Sequence, residues 1–300
     1  MKQLFFLFIL LCFNILKAQD FDTNQKVYFD FEESLSSPQK VYQLNLRDQF
    51  LFVIPDSISK LQELTALNVM RNNLEVIEDE LYNLKKLEVL ICRQNSIRFL
   101  SDSIRNLQNI KKLDFAINKI SVLPESIGEL ENLEYLYLTL NVLTEIPNTI
   151  THCKNLRVLE LDNNQLSYLP NNFSSLKKLQ NLNLAQNQFY ELENDWLNLK
   201  SIKELNLDGN KLKQLPVGIQ KMNKIQTLLV NNNQLQTVPE TIVKLKNLNY
   251  LSLANNQLTK MPQKIEKLKN LKTLILSGNQ FAEEEKQRIK AALPNCAIYF

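Results

Sequence analysis

The 300-residue sequence holds four glycines, four cysteines, one tryptophan and one histidine. Four glycines cannot supply a glycine-rich phosphate loop, a flexible Gly-rich linker or a collagen-like repeat. With His152 as its single histidine, the chain has no histidine cluster for a metal and little histidine acid–base chemistry. A formal net charge of +3 is too small to point to nucleic acid. The 44% hydrophobic and 22% charged content is that of a folding chain, which excludes wholesale disorder. Its length allows one large domain or two ordinary ones.

The amino terminus reads as a targeting segment. Met1-Lys2-Gln3 gives a short positive start, and LFFLFILLCF follows over residues 4–13. A helix needs roughly 20 apolar residues to cross a bilayer, whereas this run has the length of a signal-peptide core. Leu16-Lys17-Ala18 ends on a small residue, so cleavage is placed after Ala18, with Gln19 as the mature terminus. The other reading of the same run is an uncleaved anchor. A lipoprotein would need a cysteine just after the cleavage site, and Cys12 lies inside the apolar core instead. The expected location is therefore secreted, periplasmic or cell-surface. No later stretch reaches membrane length, so no stable membrane insertion is expected. Charge is unevenly spread: residues 19–199 carry 25 acidic and 17 basic side chains, and residues 200–300 carry 7 acidic and 16 basic.

A period of 23 residues organises the remainder. The template L-x-x-L-x-L-x-x-N-x-L fits eleven times without insertion between residues 41 and 281. Its ninth position is Asn72, Asn95, Asn118, Asn141 and Asn164, then Asn187, Asn210, Asn233, Asn256 and Asn279, with Gln49 in the first turn. Positions 1, 4 and 6, such as Leu156, Leu159 and Leu161, are apolar because a short strand turns them inward. The asparagine is expected to bond backbone groups left unpaired where the chain bends out of the strand. Position 15 is proline in Pro55, Pro124, Pro147, Pro170, Pro216, Pro239 and Pro262, which fixes φ and stops a helix running back into the strand. One turn cannot bury its apolar side chains alone, so neighbours must stack.

This pattern resembles the leucine-rich repeat family in its 23-residue L-x-x-L-P-x-x-I-x-x-L form, which TEIPNTITHCKNL (144–156) and QTVPETIVKLKNL (236–248) carry. It is similar to secreted bacterial members and to the Ras-binding animal scaffolds. The resemblance implies an α/β fold: a right-handed solenoid, or horseshoe, with a concave parallel β-sheet and an irregular or 3₁₀ convex side. It also implies ligand binding, usually of protein. The expected organisation is a signal peptide (1–18), an N-terminal cap (19–40), eleven repeats (41–281) and a C-terminal helix–strand cap (282–300). In the first cap, residues 31–41 read as a short helix ended before Pro38, packing Phe31 and Leu35 onto the first turn. In the second, Glu283, Glu284 and Glu285 open a helix and Arg288 and Lys290 finish it, matching the helix dipole. Cys296, Ile298 and Phe300 then alternate as a final strand.

Little in the chain reads as chemistry. Cys92 and Cys153 occupy core columns and behave as small hydrophobes, and three cysteines after the leader imply no disulfide framework. His152-Cys153 invites a nucleophile–base reading, but one lines the core and the other points away. Trp196 fills an isoleucine slot and reads as structural. Glu160 and Asp162 form a carboxylate pair, which on a solvated sheet face reads as binding surface rather than acid–base machinery. No enzyme activity, cofactor or metal is expected.

The informative surface is the set of strand positions 3, 5, 7 and 8, which point out of the concave face. Arg47, Arg71 and Arg93 come first. The middle turns offer Val89, Ile91, Ile117, Tyr135, Tyr137, Leu140 and Val158, expected to form one contiguous apolar patch. Glu160, Asp162, Glu204 and Asp208 follow. Apolar patches rich in tyrosine mark interfaces. The expected ligand-binding residues are Tyr135, Tyr137, Leu140, Ile91, Ile117, Val158, Arg71, Arg93, Glu160 and Asp162, and the expected partner is a protein or peptide. A lysine column on the convex side (Lys85, Lys154, Lys177, Lys200, Lys246 and Lys269, beside Lys221, Lys244 and Lys267) reads as a solvating face, with weak contact to an anionic cell surface as the functional alternative. No aromatics interleave with these lysines, so nucleic acid is not expected. Two other readings of the whole chain stand beside this one. An intracellular Ras-binding scaffold requires that the leader not function, and a surface-polymer hydrolase needs an inserted domain or a carboxylate pair in a cleft, while the unbroken period leaves no room for an insertion.

Overall fold

Each repeat opens with a three-residue strand because its pattern puts one leucine inward between two outward side chains, the period-2 alternation of a strand. Tyr135–Tyr137, with Leu136 buried between the tyrosines, shows the arrangement. A computed structural model describes residues 21–193 and 195–300 of the chain. The expected signal peptide, residues 1–18, lies outside them.

The described residues form one open parallel sheet of 13 strands in strict sequence order. Strands β2 (Gln43–Asn45) to β12 (Thr273–Ile275) are one per repeat. Neighbours align with a shift of one period, as in Lys112↔Tyr135↔Val158 and Asp114↔Tyr137↔Glu160. Two further strands extend the sheet, β1 (Val27–Tyr28) and β13 (Ala297–Tyr299). The return side of the solenoid is built of 3₁₀ turns such as Glu125–Glu129 and Asn148–His152. Five of these begin directly after a proline whose φ lies between −59° and −68°. The sheet forms the concave wall of a horseshoe solenoid.

The interior is one continuous column of apolar side chains. In the sixth turn it takes Leu156, Leu159, Leu161, Leu166, Leu169, Phe173 and Leu176, all at most 2% exposed. At roughly 1.5–3 kcal/mol per fully buried side chain, seven such residues supply the drive that orders a turn.

The ninth-position asparagines form a buried ladder. Asn164 accepts the N–H of Leu143 from the preceding turn at 3.0 Å and donates to the carbonyls of Leu138 and Leu161 at 3.0 Å each. Asn141, Asn187, Asn210 and Asn256 repeat this three-way contact one turn apart. Gln49, in the first turn, instead reaches across to the Phe29 carbonyl of the N-terminal segment at 2.6 Å.

Position 8 has left-handed φ in turn after turn, including Asp48, Arg71, Gln94, Ile117, Leu140, Asn163, Gln186, Asn232 and Asn255, with Gly209 and Gly278. Asn and Gly accept this geometry readily, but a β-branched or bulky aliphatic residue does not. Ile117, at φ 58°, and Leu140, at φ 55°, are therefore strained.

Both ends of the stack are closed. Helix α1 (Phe31–Leu35) starts at Asp30, whose carboxylate accepts from Glu33 N at 2.7 Å, and Phe31 and Leu35 pack on the core. The buried Gln43 ties the segment before β1 down by accepting from Asp22 N and donating to the Asp22 carbonyl. At the far end, helix α2 (Glu283–Ala292) buries Ile289. Its Glu285 accepts from Met261 N at 2.8 Å, while Arg288 pairs with Glu285 at 2.7 Å and donates to the Met261 carbonyl at 2.9 Å. The pair clamps α2 to the repeat beneath it.

Removing the Asn164 rung strands the buried Leu143 N–H and leaves the Leu138 and Leu161 carbonyls with only their bonds from Asn141 and Asn187. Asn164→Ala is expected to lower unfolding free energy by about 2–4 kcal/mol. Asn155→Ala removes two exposed bonds, one donated to the Glu131 carbonyl and one accepted from Lys178, and is expected to cost under about 1 kcal/mol. Urea unfolding of both variants checks the contrast.

Candidate ligand-binding face

The ladder and the core fix the strands, and what the strands leave outward is the concave wall. Tyr135 and Tyr137 stand side by side on β6 (Tyr135–Tyr137), half-buried. Register places them between β5 (Lys112–Asp114) and β7 (Val158–Glu160). Lys112 and Asp114 thus separate the tyrosines from Val89 and Ile91 of the third turn. The apolar residues of the middle turns do not form one unbroken patch: a lysine and an aspartate sit inside it. Lys112 is buried, with its ammonium 5.3 Å from the Tyr137 ring centroid, within cation–π range.

The remaining expected residues divide by accessibility. Ile91 and Val158 are only 4% exposed, because flat packing against adjacent strands covers them. They support the wall rather than present themselves from it. Leu140 is 46% exposed and Ile117 is half-buried. Arg71 lies three turns from the tyrosines and pairs with Asp48 at 3.1 Å, as Arg47 does at 2.9 Å. Arg93, half-buried one turn further in, is close enough to Glu160 to act on its charge.

The acidic residues form a half-buried stripe on the far side of the tyrosines. Burial, reinforced by the negative charges of Asp162 and Asp114, pushes the Glu160 carboxyl up to about 7, against the pull of Arg93 and the Thr139 hydroxyl. Asp162 accepts from Thr139 Oγ1, Asn183 Nδ2 and Asn163 Nδ2 at 2.7–2.9 Å. Asp208, pushed up to about 6 by burial, accepts from the backbone and side chain of Asn231. Burial also raises Glu204, which Asn181 contacts at 2.6 Å. The sequence pattern placed these acids on the face. What it did not reveal was their burial, or the roles of Lys112, Asp114, Thr139 and Asn183, whose signal lay in the one-period register to Tyr135, Tyr137 and Asp162.

The other candidates resolve on geometry. Cys92 and Cys153 are fully buried, and desolvation pushes their thiols up, Cys153 to about 12. The Cys153 thiol donates inward to the Ile127 carbonyl at 3.3 Å, while His152 is exposed. Trp196 is buried edge-on against Phe189, with ring centroids 5.2 Å apart. In the lysine column, Lys154 and Lys246 donate to carbonyls of the 3₁₀ turns, which satisfies turn ends. Among the described residues, no group of three or more His, Cys, Asp or Glu could hold a metal ion, and no helix is long and apolar enough to cross a membrane.

The comparisons with known proteins agree with this architecture. The family model for a leucine-rich repeat region matches residues 192–290, and the leucine rich repeat model matches residues 132–189. No curated protein matches the sequence. An internalin from Listeria monocytogenes is similar at 22% identity and TM-score 0.64, over 87% of this chain and 80% of that one. The plant peptide hormone receptor RGFR1, solved in complex with RGF2, is similar at 25% identity and TM-score 0.63, over 86% of this chain and 50% of the receptor's. The Toll–Spatzle complex of Drosophila gives 21% identity and TM-score 0.71, over 82% of this chain and 35% of that one. The eleven-fold period, the asparagine ladder, the single parallel sheet and both family models converge: this chain belongs to the leucine-rich repeat family.

Proposed function

We propose that the protein is a non-enzymatic, extracytoplasmic binding protein that captures a protein or peptide ligand on its concave face, centred on Tyr135 and Tyr137. The observation that carries this reading is a coincidence in the fourth to sixth turns. Two half-buried tyrosines, two residues in strained left-handed geometry and a carboxylate desolvated without full neutralisation occur together there. Each of the last two features works against stability, and such features collect at functional sites. Tyrosine supplies large contact area at low entropic cost. The likeness to a peptide hormone receptor solved with its ligand supports protein or peptide as the ligand class. Arg71 and Arg93 extend the face toward the N-terminal turns, Glu160 and Asp162 extend it the other way, and Leu140 with Ile117 forms its rim.

The leader reading supports an extracytoplasmic location, and mass spectrometry of the protein purified from its native source tests it. A chain beginning at Gln19 is expected. A chain retaining Met1 would instead favour the intracellular scaffold reading.

For the binding face, Tyr135→Ala combined with Tyr137→Ala is expected to leave the fold intact. Affinity for a ligand captured from native culture fluid or envelope should fall by on the order of 1–3 kcal/mol. Unchanged affinity would place the site elsewhere.

Glu160 offers a separate measurement. Its carboxyl titrates at about 7 in the folded chain against an ordinary value of 4.5. Between those values the folded state binds more protons than the unfolded one, so stability falls as pH rises through that window. Glu160→Gln is thus expected to be more stable than the parent at pH 8, by on the order of 1–3 kcal/mol, with the gap closing below pH 4. Thermal unfolding at the two pH values reads it, and a pH-independent gap would refute the assignment.

A further inference from the structure

The flank where the chain leaves the sheet carries a second patterned surface. At position 13 of the first four turns stand Val53, Val76, Phe99 and Val122, 40–60% exposed, and Phe52 beside them is 72% exposed. Backbone pairing holds turns 2–4 together on this flank. Arg98 N donates to the Glu75 carbonyl at 3.2 Å, Ser121 N to the Arg98 carbonyl at 3.4 Å, and Phe99 and Val122 form a parallel bridge. The column therefore runs continuously across the turns, and it ends sharply, because the fifth turn has Glu145 at the same position. An apolar strip of this kind on an otherwise polar flank marks a contact surface.

Alongside runs one acid per turn at position 16: Asp56, Asp79, Asp102 and Glu125, all exposed, each opening a 3₁₀ turn. The acid column lies three residue steps along extended chain from the apolar one, about 10 Å at roughly 3.3 Å per residue. Of these acids only Asp102 meets a cation among the described residues, Arg105 at 3.6 Å.

We propose that this flank is a docking surface, distinct from the concave face, for a partner-protein helix that is aliphatic on one side and lined with Lys or Arg along one edge. Spacing selects a helix. Solenoid turns repeat every ~4.8 Å, close to the 5.4 Å helical pitch, so a helix laid along the column sets one apolar residue against each turn. Alternate side chains of a strand, about 6.6 Å apart, fall out of step. A helix is also about 10–12 Å across with its side chains, which brings cations on its edge over the acid column. The acids disfavour an anionic membrane.

The test uses the full chain and fluorescence anisotropy with two labelled synthetic helices about 14 residues long, one of leucine and lysine, the other of leucine and glutamate. The lysine helix is expected to bind, and the glutamate helix at least roughly tenfold more weakly. Phe99→Ser with Val122→Ser, checked by circular dichroism for an unchanged fold, should weaken the lysine helix by roughly tenfold or more. Asp79→Asn with Glu125→Gln should weaken it too and flatten its salt dependence. Tyr135→Ala with Tyr137→Ala should leave it unmoved. The proposal falls if neither helix binds, if both bind alike, or if the flank variants bind as the parent does. It falls equally if sedimentation shows a dimer, or phosphatidylglycerol vesicles show binding, that the Phe99/Val122 variant abolishes.

Discussion

A chain that bends sharply out of a strand every 23 residues strips N–H and carbonyl groups from the ladder and buries them beside an apolar core. Unpaired, each such group costs on the order of 1–3 kcal/mol. One primary amide per turn, as in Asn164, answers with an acceptor for a neighbour's N–H and donors for two carbonyls. A carboxylate has no donors, and an alanine has neither function. The amide also reaches back to the preceding turn, so it joins successive turns as well as closing its own. Each rung thereby ties the exit of one strand to the exit of the strand before it.

Since the rungs and leucines hold the frame, the outward strand positions are free to vary, and their variation is informative. Most turns accept the left-handed residue at position 8 with Asn, Gln, Asp, Arg or Gly, but the fourth and fifth turns keep Ile117 and Leu140 there. The same region holds the tyrosines and the desolvated Glu160. Departures from the most stable residue thus gather where an apolar, partly charged wall would be useful to a ligand.

The repeating parts of the fold were legible because ten asparagines and seven apolar columns share one phase. The C-terminal helix and strand were legible from the charge order of the one and the alternation of the other. Strand β1 was not: two residues carry no periodicity, and Gln43, not a leucine, anchors the segment ahead of it. On the concave wall, alternation told which side chains face outward but not how far neighbours cover them. Ile91 and Val158 therefore looked open and are closed, and Lys112 and Asp114 were passed over although they adjoin the tyrosines in register. Position 13 escaped notice because it sits between two core columns and contributes nothing to the period.

Contacts in the stack run chiefly from each turn to the next, so load applied at the two ends passes through every junction in series. Such an arrangement yields at its weakest joint rather than deforming evenly. Parting one joint would therefore leave the turns on either side of it wound.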